Sequence, residues 1–425
     1  MKTFKIFETF AGIGSQYQAL KNIKESKDWE IVNGGFVEWY IPAIIGYMQL
    51  HYPNLEMPKD FTGSIADLPL SINSKTLASP KTLKRYDNTI TAFLVLESKK
   101  LGNQFNIMEV ERIPNDLDLL TYSFPCQDLS VQGKRAGMVE KETRSGLVWE
   151  ISRILKNLGR TCGDEALPKY LLMENVPAIL HKQHKPALDN FLFDLQTLGY
   201  FNAIYTLNSS DFGSPQNRKR VFILSVKSNE DFTIPNFKTV PNELKTPMDV
   251  FPELAEAQLL PKLADYELTP FALTSGYMCR SELPKEYVNW DASRRVYDVN
   301  FTGPTILTDC NIKIVKHSPF KLSPNNIRKA DLQDYSSFQS ERLIYDPARL
   351  GPTVTASGAN SNIKVVVENK IYLLPASYLY RYQGFSAENF KAITKNNLIS
   401  DNKLKFLIGN SIHVQVLEAI FKRLN

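Results

Sequence analysis

Apolar residues along the chain fall into short runs separated by glycine turns and by segments with helical spacing. Phe4-Lys-Ile-Phe-Glu-Thr-Phe10 is apolar-rich and of strand length, and Ala11-Gly-Ile-Gly-Ser15 turns after it. In the next stretch Leu20 and Ile23 recur at helical spacing. A second strand, Ile31-Val-Asn-Gly-Gly-Phe-Val37, ends at Glu38-Trp39. Asp116-Leu-Asp-Leu-Leu120 reads as the end of a short buried strand. Lys169-Tyr-Leu-Leu-Met173 reads as another, ending at Glu174-Asn-Val176. Arg144 to Leu155 has the two-sided pattern of an amphipathic helix. A helix from Ala187 to Leu198 closes at Gly199, and Tyr200 to Leu207 and Arg220 to Val226 read as paired strands. Strand, glycine turn and helix in this order begin a nucleotide-binding α/β unit with a mostly parallel sheet.

From about Ser228 the alternation stops, and prolines recur at Pro235, Pro241, Pro247, Pro252 and Pro261. The change of texture predicts a second, smaller domain. The last segment, Leu404 to Phe421, returns to a turn and a helix with Val414, Leu417 and Phe421 facing inward. A chain of 425 residues is long for one core. The expected division is 1–228 plus 372–425 for the first domain and 229–371 for the second.

Composition narrows the function classes. Against 45 acidic residues stand 50 Lys and Arg, a formal +5, which permits a polyanionic partner without demanding one. No apolar run approaches the roughly 20 residues of a membrane span. The opening MKTFKIFETF lacks the apolar core of a signal peptide. The four cysteines, Cys126, Cys162, Cys279 and Cys310, form no CxxC pair. That spacing argues against a disulfide framework or metal site, and for a reducing cytoplasm.

Cys126 lies between Pro125 and Gln127, where strand gives way to loop. A packing cysteine has no use for a rigid neighbour, whereas a nucleophile does. Glu174 follows a buried strand, and Arg218 and Arg220 stand at the start of another. In an open parallel sheet the carboxyl ends of the strands line one crevice. A thiol, a carboxyl and guanidinium groups can therefore converge there although far apart in sequence. Each also has a plain structural reading, as a small core residue, a capping partner or a solvated strand edge. Their joint occurrence favours chemistry. Glu38, roughly 20 positions past the glycine turn, is placed for ribose hydroxyls, with Trp39 beside it for an adenine ring. Tyr17 stands where a dinucleotide fingerprint wants a third glycine, so another nucleoside-bearing cofactor fits better than a nicotinamide or flavin.

Eight ordered blocks span nearly the whole chain: Phe10-Ala-Gly-Ile-Gly14, Glu38-Trp39, Phe124-Pro-Cys-Gln127, Arg144-Ser-Gly-Leu147, Glu174-Asn-Val176, Gln216-Asn-Arg-Lys-Arg220, Gly351-Pro-Thr-Val-Thr355 and Gly409-Asn-Ser-Ile412. In content and order they resemble the DNA (cytosine-5)-methyltransferases of bacterial restriction–modification systems. The stretch GPTVTASGANSNIK, Gly351 to Lys364, further resembles the CpG-specific members. The resemblance implies a doubly wound, mostly parallel, Rossmann-like α/β sheet with a smaller target-recognition domain. It implies Cys126 as the nucleophile that adds to cytosine C6, its thiolate favoured by a nearby cation. Glu174 would act at N3, Arg220 would contact O2 and orient Glu174, and Arg218 would brace the site.

The implied cofactor is S-adenosyl-L-methionine. Phe10, Ala11, Gly12, Ile13 and Gly14 would surround its methionine part. Glu38 would take the ribose hydroxyls and Trp39 would face the adenine. Pro125 and Leu147 would line the pocket, Ser64 and Ile65 would flank the adenine, and Asn410 with Ser411 would meet the amino-acid end. The family usually has an acidic residue where Ser64 stands, so that contact would be weaker or made elsewhere. The implied partner is duplex DNA with the target base flipped out. A cognate restriction endonuclease acting on the same site, a monomeric state and no membrane belong to the same expectation. Ser130, Gln132, Lys134 and Arg135 would lie on a mobile loop over the DNA, with Gln132 filling the space left by the base. Arg294, Arg295, Lys313 and Lys316 are candidate DNA contacts in the recognition region, the last two within a stretch, Cys310 to Lys329, that has no carboxylate. The rival readings are a tRNA cytosine-5 methyltransferase, a catalytically inactive DNA-binding relative and a dinucleotide oxidoreductase.

Overall fold

A computed structural model of the chain describes residues 1–65, 88–126, 128–129, 137–140, 142–227, 317–332, 335–367 and 370–425, and the backbone of 258–259, 288–290 and 296–298. Six strands form the main sheet: β1 Lys2–Thr9, β2 Trp29–Val37, β3 Leu119–Tyr122, β4 Tyr170–Asn175, β5 Tyr200–Asn208 and β6 Lys219–Lys227. Their order is β2-β1-β3-β4-β6-β5. The first four run parallel, while β6 is antiparallel to both β4 and β5. The sheet is therefore mixed, and the expected strand pair is its antiparallel end. Helices α1 Ser15–Lys27, α2 Ile41–His51, α3 Thr89–Lys100, α4 Val148–Cys162 and α5 Lys185–Thr197 alternate with these strands.

Side chains alternate across a strand, so successive residues enter different cores. Phe4 and Ile6 of β1 pack with Leu20, Ile44 and Met48, whereas Phe7 packs with Leu120, Ile151 and Phe191. Burial on both faces is why the strands read as near-continuous apolar runs. The chain returns late to this body through α6 Ala376–Tyr382, α7 Ala387–Ile393, α8 Asp401–Asn410 and α9 Val414–Phe421. Val414, Leu417 and Phe421 are fully buried. The last helix packs on the first, where Asn22 Nδ2 donates to Glu418 Oε1 at 2.7 Å. Residues 401–421 have the length and hydropathy of a membrane span. They break at Ser411–His413, and their apolar side chains lie in the first core.

Short strands β7 Gln258–Leu259, β10 Lys321–Leu322, β11 Arg328–Asp331, β12 Leu343–Tyr345, β13 Lys364–Val367 and β14 Lys370–Leu373 form a second sheet, ordered β10-β11-β12-β13-β14-β7. A separate pair joins β8 Val288–Trp290 to β9 Val296–Asp298. Ala330, Leu332, Ile344 and Ile371 make a small core, whereas Tyr345, Val354, Val365 and Leu374 join the first large one. Strand β14 spans the expected boundary between 371 and 372. The chain leaves this sheet at Leu374-Pro375, just before α6.

Candidate active site

Parallel register brings four strand exits level. Thr9 pairs with Val37 on one side and Tyr122 on the other, and Tyr122 pairs with Met173. The glycine turn, Glu38-Trp39, the Cys126 loop and Glu174 therefore gather at one edge of the sheet. Strand β6 runs the other way and enters at that same edge, with Glu174 opposite Phe222. That reversal is why Arg218 and Arg220, at the start of a strand, meet groups at the ends of others. Gln16 Nε2 donates to Ser123 Oγ at 3.4 Å and links the glycine turn to the thiol loop.

Cys126 is half-buried on a loop held at several points. Asn175 Nδ2 donates to Phe124 O at 3.1 Å, and Ser145 Oγ donates to Pro125 O at 2.6 Å. The Leu129 amide closes a turn on Cys126 O at 3.0 Å. Asp128 accepts the Ser145 amide at 3.1 Å. Asn175 and Ser145 lie inside the quoted blocks, but sequence alone assigns neither a role. Both act on the backbone that aims the thiol.

Glu174 is buried, and its Oε1 lies 3.2 Å from Arg220 Nε. Burial raises the Glu174 pKa, while Arg220 and Arg218 pull it back. Burial also raises the Cys126 thiol and the Glu174 carboxylate adds to this; the two guanidinium groups oppose the rise. The nearby cations thus act on Cys126 in the expected sense, but desolvation and the carboxylate outweigh them, and the thiol pKa lies above its ordinary value. Neutralising the carboxyl as Glu174→Gln lowers the thiol pKa. At pH 8 that variant is expected to react at Cys126 with iodoacetamide several-fold faster, since one pKa unit is about tenfold in thiolate. Peptide mass spectrometry separates this site from the exposed Cys162.

The glycine turn is built from left-handed residues: Phe10 has φ 54°, Gly12 58° and Gly14 75°. A Cβ on Gly12 would meet nothing within 4 Å, so the turn opens outward there. Glu38 Oε2 accepts the Gly12 amide at 2.8 Å, and Oε1 accepts the Trp39 and Tyr40 amides at 2.8 and 2.7 Å. Burial lifts this carboxyl to about 7, against those three amides. A carboxylate has about four acceptor sites, so one remains. Trp39 is 46% exposed. Phe10 and Leu147 are half-buried, and both pack at the edge of the second core. Ala11 and Ile13 are buried, Pro125 and Ser64 are half-buried, and Asn410 is exposed.

Two expected residues point elsewhere. Ile65 is fully buried in the first core. Ser411 is buried and its hydroxyl donates to Leu407 O at 2.9 Å. Arg218 donates to Val354 O at 2.7 Å, Gly409 O at 3.2 Å and Ser411 O at 3.0 Å, so it braces two later blocks against the start of β6. Gln216 works beside it, accepting from the Val354 amide at 3.0 Å and donating to Gln383 Oε1 at 3.1 Å. No local pattern marks Gln383, whose partners are distant in sequence. Gly409 is required because a Cβ would lie 2.2 Å from Ala356 N. Ser130, Gln132, Lys134, Arg135, Arg294, Arg295, Lys313 and Lys316 lie outside the described residues. Within the carboxylate-free stretch, Lys321 and Lys329 pair directly across β10–β11 and are exposed, whereas Arg328 is engaged by Asp346 at 2.7 Å. Among the described residues no cluster of His, Cys, Asp and Glu suits a metal.

Comparison with known proteins agrees with this arrangement. The family model for C-5 cytosine-specific DNA methylase matches residues 84–425. The orphan methyltransferase M.SssI of Spiroplasma monobiae is 36% identical over 435 aligned residues, covering 100% of this chain and 97% of that protein. The type II methyltransferase M2.ScrFI of Lactococcus lactis subsp. cremoris is 37% identical over 242 residues, covering 54% of this chain and 63% of that protein. In fold, the chain is similar to the S. pombe Dnmt2 methyltransferase, with TM-score 0.51 and 15% identity over 99% of this chain and 98% of that one. A thiol loop, a buried carboxyl and paired guanidinium groups at one sheet edge, carried by a full-length sequence match, place this chain in the C-5 cytosine-specific DNA methylase family as a DNA (cytosine-5-)-methyltransferase.

Proposed function

We propose that the protein transfers a methyl group from S-adenosyl-L-methionine to C5 of a cytosine flipped out of duplex DNA, through a covalent bond from Cys126 to C6. The observation that carries this reading is the meeting of Cys126, Glu174 and Arg220 at the carboxyl edge of the parallel strands. C5 of cytosine is a poor nucleophile. Addition of the Cys126 sulfur to C6 makes the ring an enamine, and C5 becomes nucleophilic. Glu174, with its raised pKa, supplies a proton or hydrogen bond at N3 as charge moves into the ring. Arg220 orients that carboxyl and reaches O2. After methylation, loss of the C5 proton restores the double bond and expels the Cys126 sulfur.

The residues at the donor side fit the implied cofactor. The turn at Gly12 opens outward, Glu38 keeps an acceptor site, and Trp39 offers an exposed ring for an adenine. When bound, the donor supplies an electrophilic methyl group. Phe10, Leu147 and Pro125 would line the pocket, and Asn410 would meet the amino-acid end.

The region from 229 to about 374, with the second sheet, is assigned to target recognition. Directly opposed like charges such as Lys321 and Lys329 destabilise a strand pair, and a phosphate between them removes that cost. The likeness of Gly351–Lys364 to CpG-specific members points to a short GC-containing site. Incubation with labelled methyl donor and either duplex DNA or tRNA tests the reading. Label in C5 of DNA cytosine supports it; label in tRNA alone contradicts it. Bisulfite sequencing of the product gives the site.

A further inference from the structure

Beneath the glycine turn lies a buried carboxyl that the mechanism above does not use. Glu8, in β1, is 1% exposed. Its Oε1 accepts the Tyr17 amide at 3.1 Å and its Oε2 accepts the Tyr47 hydroxyl at 2.8 Å. Tyr17 is the third residue of α1, where amides lack partners within the helix. The Gly14 cap offers no side chain to satisfy them, so a carboxylate from the strand below takes that role. The partners of Glu8 press on the turn itself. A Cβ on Gly14 would lie 2.3 Å from His51 Nε2 and 2.6 Å from Tyr47 Cε2. The neutral His51 ring donates from Nε2 to Ile13 O at 2.9 Å. Glu38 holds the same turn from its other side through the Gly12 amide.

We propose that Glu8 is a positioning residue for the methyl donor, holding the Phe10–Gly14 turn in its binding shape through the Tyr17 amide and the Tyr47 hydroxyl. This rests on the donor reading given above. The ionised carboxyl accepts both bonds, whereas protonation removes an acceptor and loosens the start of α1. Burial lifts Glu8 to about 7, with the Tyr47 and Tyr17 bonds opposing. The groups that act on it are Tyr17 from α1, Tyr47 from α2 and Tyr52 just beyond, with Lys21 over the Tyr17 ring and His51 against the Tyr47 ring. Burial raises the three phenols above their usual range, lowers Lys21 and holds His51 at about 3. Glu38, across the turn, also titrates at about 7. Donor affinity therefore falls as pH drops through 7, with two carboxyls contributing. If only the ionised form binds, Glu8 alone accounts for about tenfold between pH 8 and pH 6.

Calorimetric titration of the full chain with S-adenosylhomocysteine reads binding without turnover. Glu8→Gln is expected to bind more weakly at pH 8 and to lose about tenfold of the affinity change between pH 8 and 6, leaving the Glu38 part. Glu8→Asp should restore part of that pH dependence. Tyr47→Phe removes a bond that lowers the Glu8 pKa, so the midpoint of the affinity profile should move to higher pH, an effect that loss of packing alone does not produce. Should Glu8→Gln fail to fold, the Tyr47→Phe midpoint decides. Unchanged affinity and pH slope in Glu8→Gln, or an unmoved midpoint in Tyr47→Phe, overturns the proposal. Absence of binding by the unaltered protein at every pH overturns the donor reading itself.

Discussion

Cys126→Ser is expected to lower methyl transfer to cytosine by about 10⁴-fold or more, with S-adenosylhomocysteine affinity within about twofold of the parent. A serine hydroxyl has nearly the shape of the thiol, so the loop keeps its ties. Asn175 still holds Phe124 O and Ser145 still holds Pro125 O. The hydroxyl is a far weaker acid than the thiol, and the neighbouring Glu174 carboxylate opposes any anion at that position. Without the sulfur the ring does not become an enamine, and C5 stays unreactive. The donor side is built from other residues and should be unaffected. Single-turnover kinetics with a parallel binding titration reads both quantities. Loss of binding together with turnover would point to misfolding and would remove the support for Cys126 as nucleophile.

The largest stability effect is expected at Arg218. Its guanidinium, 4% exposed, is the joint between β6, the Val354 segment and the end of α8. Arg218→Met keeps much of the volume but takes the donor from two buried carbonyl oxygens, Val354 O and Gly409 O, each worth about 1–3 kcal/mol, while Ser411 O keeps Gln383 Nε2 at 3.2 Å. Removal of a desolvated charge offsets part of this, since burial, with Arg220 beside it, lowers the Arg218 pKa to about 9. A net loss of roughly 2–3 kcal/mol remains, or a Tm lower by about 2–4 °C by differential scanning calorimetry. Lysine reaches one carbonyl where the planar fork reaches three, so Arg218→Lys should recover only part of the loss. Equal melting of parent and Arg218→Met would show that the joint carries no stability.

Much of the main sheet was legible because its strands are buried on both faces and its helices keep a regular apolar face. The stretch Lys169 to Met173 can be little else than a central strand, and it is one. The site was legible for a related reason. Cys126, Glu174 and the two arginines sit next to strand ends, and sheet topology carries such residues to a common edge. The second sheet was not legible. Its strands are two to four residues long, too short to show alternation, and β7 finds its partner β14 more than a hundred residues later. The same distance hid Gln383, which joins Gln216 without any local signal. Sequence shows the cations near Cys126 but not its desolvation, which sets the direction of the thiol pKa. Glu8 passed unnoticed as one polar residue in an apolar strand, since its role depends on α2 folding over it.

Trapping on duplex DNA that carries 5-fluorocytosine at the target position tests the central claim most directly. Fluorine at C5 does not leave as the proton does, so the sulfur–C6 bond should persist after methyl transfer. Denaturing electrophoresis should show a protein–DNA adduct, and mass spectrometry of the digested adduct should place the nucleotide on Cys126. Methylation of ordinary DNA without any trapped adduct, or an adduct on a residue other than Cys126, would contradict a covalent mechanism at this thiol.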